Sequence, residues 1–275
     1  MGEGRCRQCG GRLEADERLQ KLCPACLLAL GTWELPHGAS GDRETLLPHL
    51  VILNLLGEGP RARAYLAEWK PPGGGFAVVK CRMPGVGGAP TDAEDLARLL
   101  ALDHPHVGTM YDAGVDAQGR AYAITEYVPG VPITRFCDQA QLSVTGRVEL
   151  LLQVAAALQH AHALGLAHRN LKPPNVLVLP GQPGTVKVLD FEAAMPGGAD
   201  APAPAAHSGT PGIETDVRAL GALLSELLGG LPGEHVDEAR AIARQASGST
   251  GGTHYDSVAA LASDLAAWLG AAMPT

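Results

Sequence analysis

Positive charge is scarce in this sequence: Lys and Arg number 21 against 29 Asp and Glu, giving a formal charge of -8 and a pI of about 5.7. A nucleic-acid surface needs concentrated Lys and Arg to neutralise phosphates, so nucleic acid is not expected as a partner. Long apolar runs are missing too. None approaches the ~18–20 residues that cross a bilayer, and no charged-then-apolar leader opens the chain. A cytoplasmic protein without a membrane partner is expected. Cysteine is also sparse, 6 in 275 residues, with four of them in the first 26. Without a secretion signal, that distribution argues against a disulfide framework and favours metal binding.

What is present reads as globular, with 46% hydrophobic and 18% charged residues. The length exceeds the commonest single-domain size of roughly 100–150 residues, which suits one two-lobed domain with a small appendage. The appendage is visible in residues 1–31, where Cys6-Arg7-Gln8-Cys9 and Cys23-Pro24-Ala25-Cys26 are separated by thirteen residues. Each pair forms a knuckle offering two thiolates, and two knuckles complete a tetrahedral zinc shell. With no spare ligand the zinc would be structural, the staple that so short a segment needs. A redox dithiol is the alternative. Residues 32–48, punctuated by Pro36, Gly38, Gly41 and Pro48, read as a linker.

Beyond the linker, short apolar or β-branched runs at 50–56, 64–69, 76–80 and 121–127 predict a mostly antiparallel sheet. One helix is inserted, starting at Thr91 with Glu94 three residues on and a stripe of Leu96, Leu99 and Leu100. After Gly130 helices dominate. One is capped by Ser143, carries Val148, Leu151, Leu152, Ala155, Leu158 and His162 on one face, and stops at Gly165. Another spans about 216–228, and the last runs from Asp256 with Val258, Leu261, Leu265 and Trp268. His160 and His162, two apart on the long helix, face different ways and are expected to be ordinary core or surface residues. Cys81 and Cys137 read as packing residues.

Several ordered motifs carry the chemistry. Leu56-Gly57-Glu58-Gly59 sits between the first two strands, where glycines let backbone amides approach phosphate oxygens. Phe76-Ala77-Val78-Val79-Lys80 ends a strand on a lysine. His168-Arg169-Asn170-Leu171-Lys172-Pro173-Pro174-Asn175-Val176-Leu177 is followed by Val186-Lys187-Val188-Leu189-Asp190-Phe191. With His104-Pro105-His106-Val107, Glu126-Tyr127-Val128-Pro129-Gly130 and Asp216-Val217-Arg218, these resemble the bacterial eukaryotic-type Ser/Thr protein kinases from about Pro48 onward. The resemblance implies an α+β, two-lobed kinase-like fold over 49–272, with a β-rich lobe of about 49–128 and a helical lobe of about 129–272. It also implies roles. Gly57 and Gly59 would lie at the phosphates, and Lys80 would pair the α- and β-phosphates with Asp95 or Glu94 as its partner. The backbone of Glu126 and Val128 would meet adenine, Leu177 would lie beneath the ring, and Thr125 would hold the gatekeeper position. Asn175 and Asp190 would hold magnesium, with Lys172 in the catalytic loop.

The departures from that family bear on activity. Asn170 stands where the family has its base aspartate, and a carboxamide accepts no proton at neutral pH. Glu192 replaces the glycine of Asp-Phe-Gly, Ala62 and Ala64 replace a glycine and a valine of the phosphate loop, and Val78 crowds the adenine position. Ser208-Gly209-Thr210-Pro211-Gly212 resembles the stretch before the Ala-Pro-Glu motif, yet the motif itself is missing, and so is the arginine the family pairs with its glutamate. Losing both partners avoids the ~3–5 kcal/mol cost of one unpaired buried charge. Three readings follow: a pseudokinase that keeps ATP and magnesium and regulates or scaffolds a protein partner, a slow but active Ser/Thr kinase, or an adaptor that binds no nucleotide.

Overall fold

A computed structural model describes residues 50–59, 62–70, 75–82, 93–116, 121–179, 184–191, 210–248 and 254–272. The four amino-terminal cysteines and the linker lie outside these residues, as do Thr91 and Glu192. The chain divides into two units, one comprising the residues up to 84 with 114–129, the other 85–113 with 130 to the end.

Five strands form the first sheet: β1 (Leu50–Glu58), β2 (Ala62–Trp69), β3 (Phe76–Arg82), β4 (Met110–Val115) and β5 (Ala121–Glu126), in the order β1-β2-β3-β5-β4. The pairings β1–β2, β2–β3 and β3–β5 are antiparallel. Side chains alternate between faces with a period of two, and the sequence exploits that on β3. Ala77, Val79 and Cys81 point into an apolar cluster with Leu50, Ala67 and Ile124, edged by Tyr65, Trp69 and Tyr122. Burying one such aliphatic side chain stabilises by about 1.5–3 kcal/mol. Val78 and Lys80 consequently point the other way. The predicted strands hold, each with ends shifted by up to two residues. β4 was not predicted, because its apolar residues are broken by Asp112 and Gly114.

The second unit contains helices α1 (Ala93–Leu100), α2 (Ile133–Gln139), α3 (Val144–Ala163), α4 (Thr210–Leu227), α5 (Glu234–Ser247) and α6 (Val258–Ala272). It also holds a small antiparallel sheet of β6 (Val131–Pro132), β7 (Val176–Leu179) and β8 (Thr185–Val188). The expected cap of α3 is present, with Ser143 Oγ accepting from Gly146 N at 3.3 Å. Gly165 follows the helix at φ +74°, a conformation that favours glycine. Val148, Leu151, Ala155 and Leu158 are fully buried, as are Val258, Leu261 and Leu265 of α6. Arg147 is buried and ties three helices together. It donates from Nε to Leu142 O (3.1 Å), from Nη1 to Leu227 O (2.8 Å) and from Nη2 to Cys137 O (3.3 Å), which joins the ends of α2 and α4 to the start of α3.

Three expectations need correction. Leu100 is exposed and not part of the α1 stripe, which rests on Leu99. Helix α4 begins at Thr210, six residues before the expected start near Asp216. Pro211 falls in the first turn of this helix, where proline is tolerated because its missing N–H would have no partner there. Helix α5 was missed because its buried face is Val236, Ala239, Ala243 and Ala246, and alanine gives a weak periodic signal.

Candidate functional site

In the first unit, β1 and β2 meet in a tight hairpin closed by Gly59 N donating to Ala62 O at 2.8 Å. Strand register then lines up Gly57, Ala64, Lys80 and Ala123 in one cross-strand row, and Leu66, Val78 and Thr125 in the next. At about 4.8 Å per strand, Lys80 lies two strands from the glycine turn on the face opposite the apolar cluster. Glu58 and Arg63 pair across the hairpin at 2.8 Å and belong to the rows of the other face. Glu126 ends β5 opposite Ala77, followed by Tyr127 and the buried Val128. Tyr127 packs edge-on against Phe76, with ring centroids 6.2 Å apart. Its hydroxyl has no hydrogen-bond partner among the described residues, and burial pushes its pKa up to about 12.

In the second unit, the segment from Leu166 to Asn175 leaves α3 and is held by a fully buried carboxylate. Asp216 on α4 accepts from His168 N at 2.8 Å, Arg169 N at 2.7 Å and His162 Nε2 at 2.7 Å. Those bonds keep Arg169 at φ +62°, a left-handed conformation that costs a non-glycine residue roughly 1–2 kcal/mol. His168 is likewise fully buried. Its Nε2 donates to Leu189 O at 2.7 Å and its Nδ1 accepts from Asn170 N at 3.2 Å, a pairing that fixes the neutral tautomer. Its ring lies 4.7 Å from that of Phe191.

Asn170 is pinned from both sides. Its N–H meets the His168 ring, and its carbonyl accepts from Asn175 Nδ2 at 2.8 Å. Asn175 in turn donates its N–H to Lys172 O at 2.9 Å and accepts at its carbonyl from Leu189 N at 2.8 Å, which joins this loop to the strand leading to Asp190. With Nδ2 committed to Asn170, Oδ1 is the end of Asn175 left to meet a cation. Asp190 sits at φ +69°, and Lys172 is exposed. A carboxamide oxygen and a carboxylate are the hard oxygen donors that magnesium takes, so Asn175 and Asp190 suit it chemically. Leu177 is buried on β7, and the chain comes so close at Gly130 that a Cβ there would sit 2.9 Å from Leu177 Cβ and 3.1 Å from Val178 O.

The first turn of α4 lies directly on this loop. A Cβ on Gly212 would stand 2.7 Å from Ala167 Cβ and 3.2 Å from Arg169 Nε. The end of the stretch expected to precede a substrate platform is therefore helical and seated against residues 167–169.

Glu94 and Asp95 fall on α1, but their side chains, like Cys6, Cys9, Cys23 and Cys26, are outside the described residues. Cys81 and Cys137 are buried, and desolvation raises the Cys137 thiol to about 11, which keeps it unreactive at neutral pH. His162 serves Asp216 while His160 stacks on His104. Among the described residues no group of three His, Cys, Asp or Glu side chains gathers as for a metal ion, and no helix is long and apolar enough to cross a membrane. Sequence reasoning overlooked what Asp216 does. Its signal was a carboxylate on the apolar stripe of Val217, Leu220 and Leu224, which only a buried partner set explains.

Residues 51–247 match the family described as "Protein kinase domain". The chain is 32% identical over 160 residues to a probable serine/threonine-protein kinase PknB of Lactococcus lactis, covering 53% of this chain and 25% of that protein. It is 39% identical over 104 residues to serine/threonine-protein kinase PknA of Mycobacterium tuberculosis, covering 36% and 24% respectively. To CBL-interacting protein kinase 4 of Oryza sativa it is 34% identical over 161 residues, covering 56% and 35%. The matches thus span about a quarter to a third of each relative. With its motifs in order and its matched stretch filling well over half its length, the chain belongs to the protein kinase domain family and has bacterial serine/threonine kinases among its relatives.

Proposed function

We propose that this chain is a pseudokinase: a Ser/Thr kinase-like domain that binds ATP with magnesium and acts on a protein partner by regulation or scaffolding. The observation that carries this reading is the state of position 170. The loop around it is fastened at both its N–H and its carbonyl, so the backbone is prepared for catalysis while the side chain is a carboxamide. General-base catalysis typically contributes about 10²–10⁴-fold, and Asn170 has no means of supplying it. The position of Gly212 against Ala167 and Arg169 supports the same conclusion, since the chain's own helix takes space beside the loop where a peptide would need to be aligned.

On this reading the backbone around Gly57 and Gly59 and the Lys80 ammonium would bind the phosphates, Glu126 and Val128 would receive adenine through their backbone, and Leu177 would pack beneath it. Asn175 and Asp190 would hold magnesium, which supplies charge neutralisation on the phosphates. The amino-terminal residues 1–31 would form a separate module with a structural zinc on Cys6, Cys9, Cys23 and Cys26, offering a second docking surface.

A slow but active kinase is the second reading. The same pinned loop favours it, because phosphoryl transfer rests largely on positioning and electrostatics, and Lys80, Lys172, Asn175 and Asp190 are all retained. Nucleotide binding with radiolabelled transfer separates the readings. The pseudokinase binds ATP with magnesium and transfers nothing above background. The slow kinase transfers measurably, and an adaptor shows no binding at millimolar ATP.

A further inference from the structure

Residues 101–109, which link α1 to β4, are stitched to β8 by backbone pairing. Val188 N donates to His106 O at 2.8 Å and Gly108 N to Val188 O at 2.8 Å. Side chains reinforce the seam, with Lys187 Nζ donating to Val107 O at 3.0 Å and His106 Nδ1 donating to Val186 O at 3.1 Å. Three imidazoles meet at its end. The His104 ring is 5.4 Å from that of His106 and stacked 5.2 Å from that of His160 on α3. His104 Nδ1 accepts from the backbone N–H of His106 at 3.2 Å, which closes the turn. An imidazole nitrogen accepts only while it carries no proton.

We infer that His104, His106 and His160 form an acid-sensitive latch, in which protonation of His104 releases the 101–109 loop from β8 and α3. The geometry supplies two reasons. A proton on Nδ1 would face the His106 N–H, so an acceptor becomes a second donor and the turn loses its bond. A charge on His104 would also be disfavoured by His106, His160 and Lys187 and favoured by Asp103. In agreement, the His104 pKa is held below its ordinary value of about 6.5, first by burial and then by His106 and His160. The sign follows from linkage: the unfolded or opened state binds the proton more readily, so the latch is fully closed above about pH 6.5 and weakens as pH falls below it. Each unit of difference between the two pKa values is worth a factor of about ten in the opening equilibrium. This inference is independent of whether the protein transfers phosphate.

The test is hydrogen exchange on the full chain at pH 7.5 and 5.5, corrected for intrinsic chemistry and read at the amides of His106, Gly108 and Val188. Opening should increase at pH 5.5 by up to about tenfold per pH unit below 6.5, while helix α6 should not change. His104→Asn keeps an acceptor oxygen but cannot titrate, so its exchange should lose the pH dependence. Should that variant fail to fold, proton NMR of the unmodified protein and of His160→Gln serves instead. The His104 midpoint should lie below 6.5 and move upward in the variant. An equal acid response in His104→Asn, or a His104 midpoint at or above 6.5, would overturn the latch.

Discussion

Replacing Asp216 by alanine should be among the most damaging single changes to the helical unit. The carboxylate is fully buried and satisfies three donors, His168 N, Arg169 N and His162 Nε2. Alanine leaves the buried amide of His168 and the partly buried amide of Arg169 without their acceptor, and loss of a buried partner costs about 1–3 kcal/mol. It also frees Arg169 from the bond that helps hold it at φ +62°. An opposing term is the desolvation of the carboxylate, which its removal recovers. Because three donors at 2.7–2.8 Å compensate that charge well, the net should be a loss of about 3–5 kcal/mol. Asp216→Asn keeps one acceptor oxygen but turns a donor toward the remaining amides, for about 2–3 kcal/mol. Urea unfolding gives both numbers, and hydrogen exchange at His168 and Arg169 localises the effect. If Asp216→Ala fell within about 0.5 kcal/mol of the parent, the ordinary range for a surface change, the claim that this carboxylate organises the loop would be wrong.

Tyr127→Phe removes a buried hydroxyl without a partner among the described residues, so it should leave stability unchanged or raise it by about 1 kcal/mol in thermal or urea unfolding; a loss of 2 kcal/mol would reveal a partner. Metal analysis should find one zinc per chain, lost when Cys23 and Cys26 are both changed to Ser, and protein that contains no zinc while residues 1–31 stay structured would refute the module. ATP with magnesium should raise the melting temperature, with a stabilisation of about 2.7 kcal/mol at a hundred times Kd. That shift should shrink in Lys80→Ala and in Asp190→Asn, whereas an undiminished shift in both would exclude the assigned phosphate and magnesium ligands.

The sequence made the β-rich and helical regions legible wherever apolar periodicity was strong. The run ending on Lys80 marked β3 as a strand, while its core face of Ala77, Val79 and Cys81, and the opposite face that carries Lys80, emerged only with the packing. The cap at Ser143 and the stop at Gly165 were readable because both rest on local chemistry. What stayed hidden depends on distant contacts. Asp216 reaches residues 47 and 48 positions away, so its role emerges only once α4 packs beside the loop. Thr210–Gly212 carries turn-forming residues, and it becomes helical where Gly212 fits against Ala167. The backbone hold on Asn170 was equally invisible, since it is made by a ring nitrogen of His168 and a side-chain amide of Asn175. The substitution at 170 could be read from the motif. That the surrounding loop remained organised could not.

That organisation makes Asn170→Asp an informative variant. The backbone bonds at residue 170 do not involve its side chain, so the change should leave the loop intact and return only a carboxylate. It should still leave peptide phosphorylation near background, with at most a rise in slow ATP hydrolysis or autophosphorylation. Restoring a base is worth about 10²–10⁴-fold, but lost alignment of the substrate hydroxyl beside Gly212 and Arg169 removes several kcal/mol of its own. Transfer appearing only in the variant would show that the seat of α4 does not exclude a substrate. The most direct measurement is radiolabelled phosphotransfer from ATP and magnesium to generic Ser/Thr peptides by the unmodified protein, under conditions where nucleotide binding is saturated. The pseudokinase account predicts incorporation indistinguishable from a protein-free control, and robust, enzyme-dependent peptide labelling would contradict it.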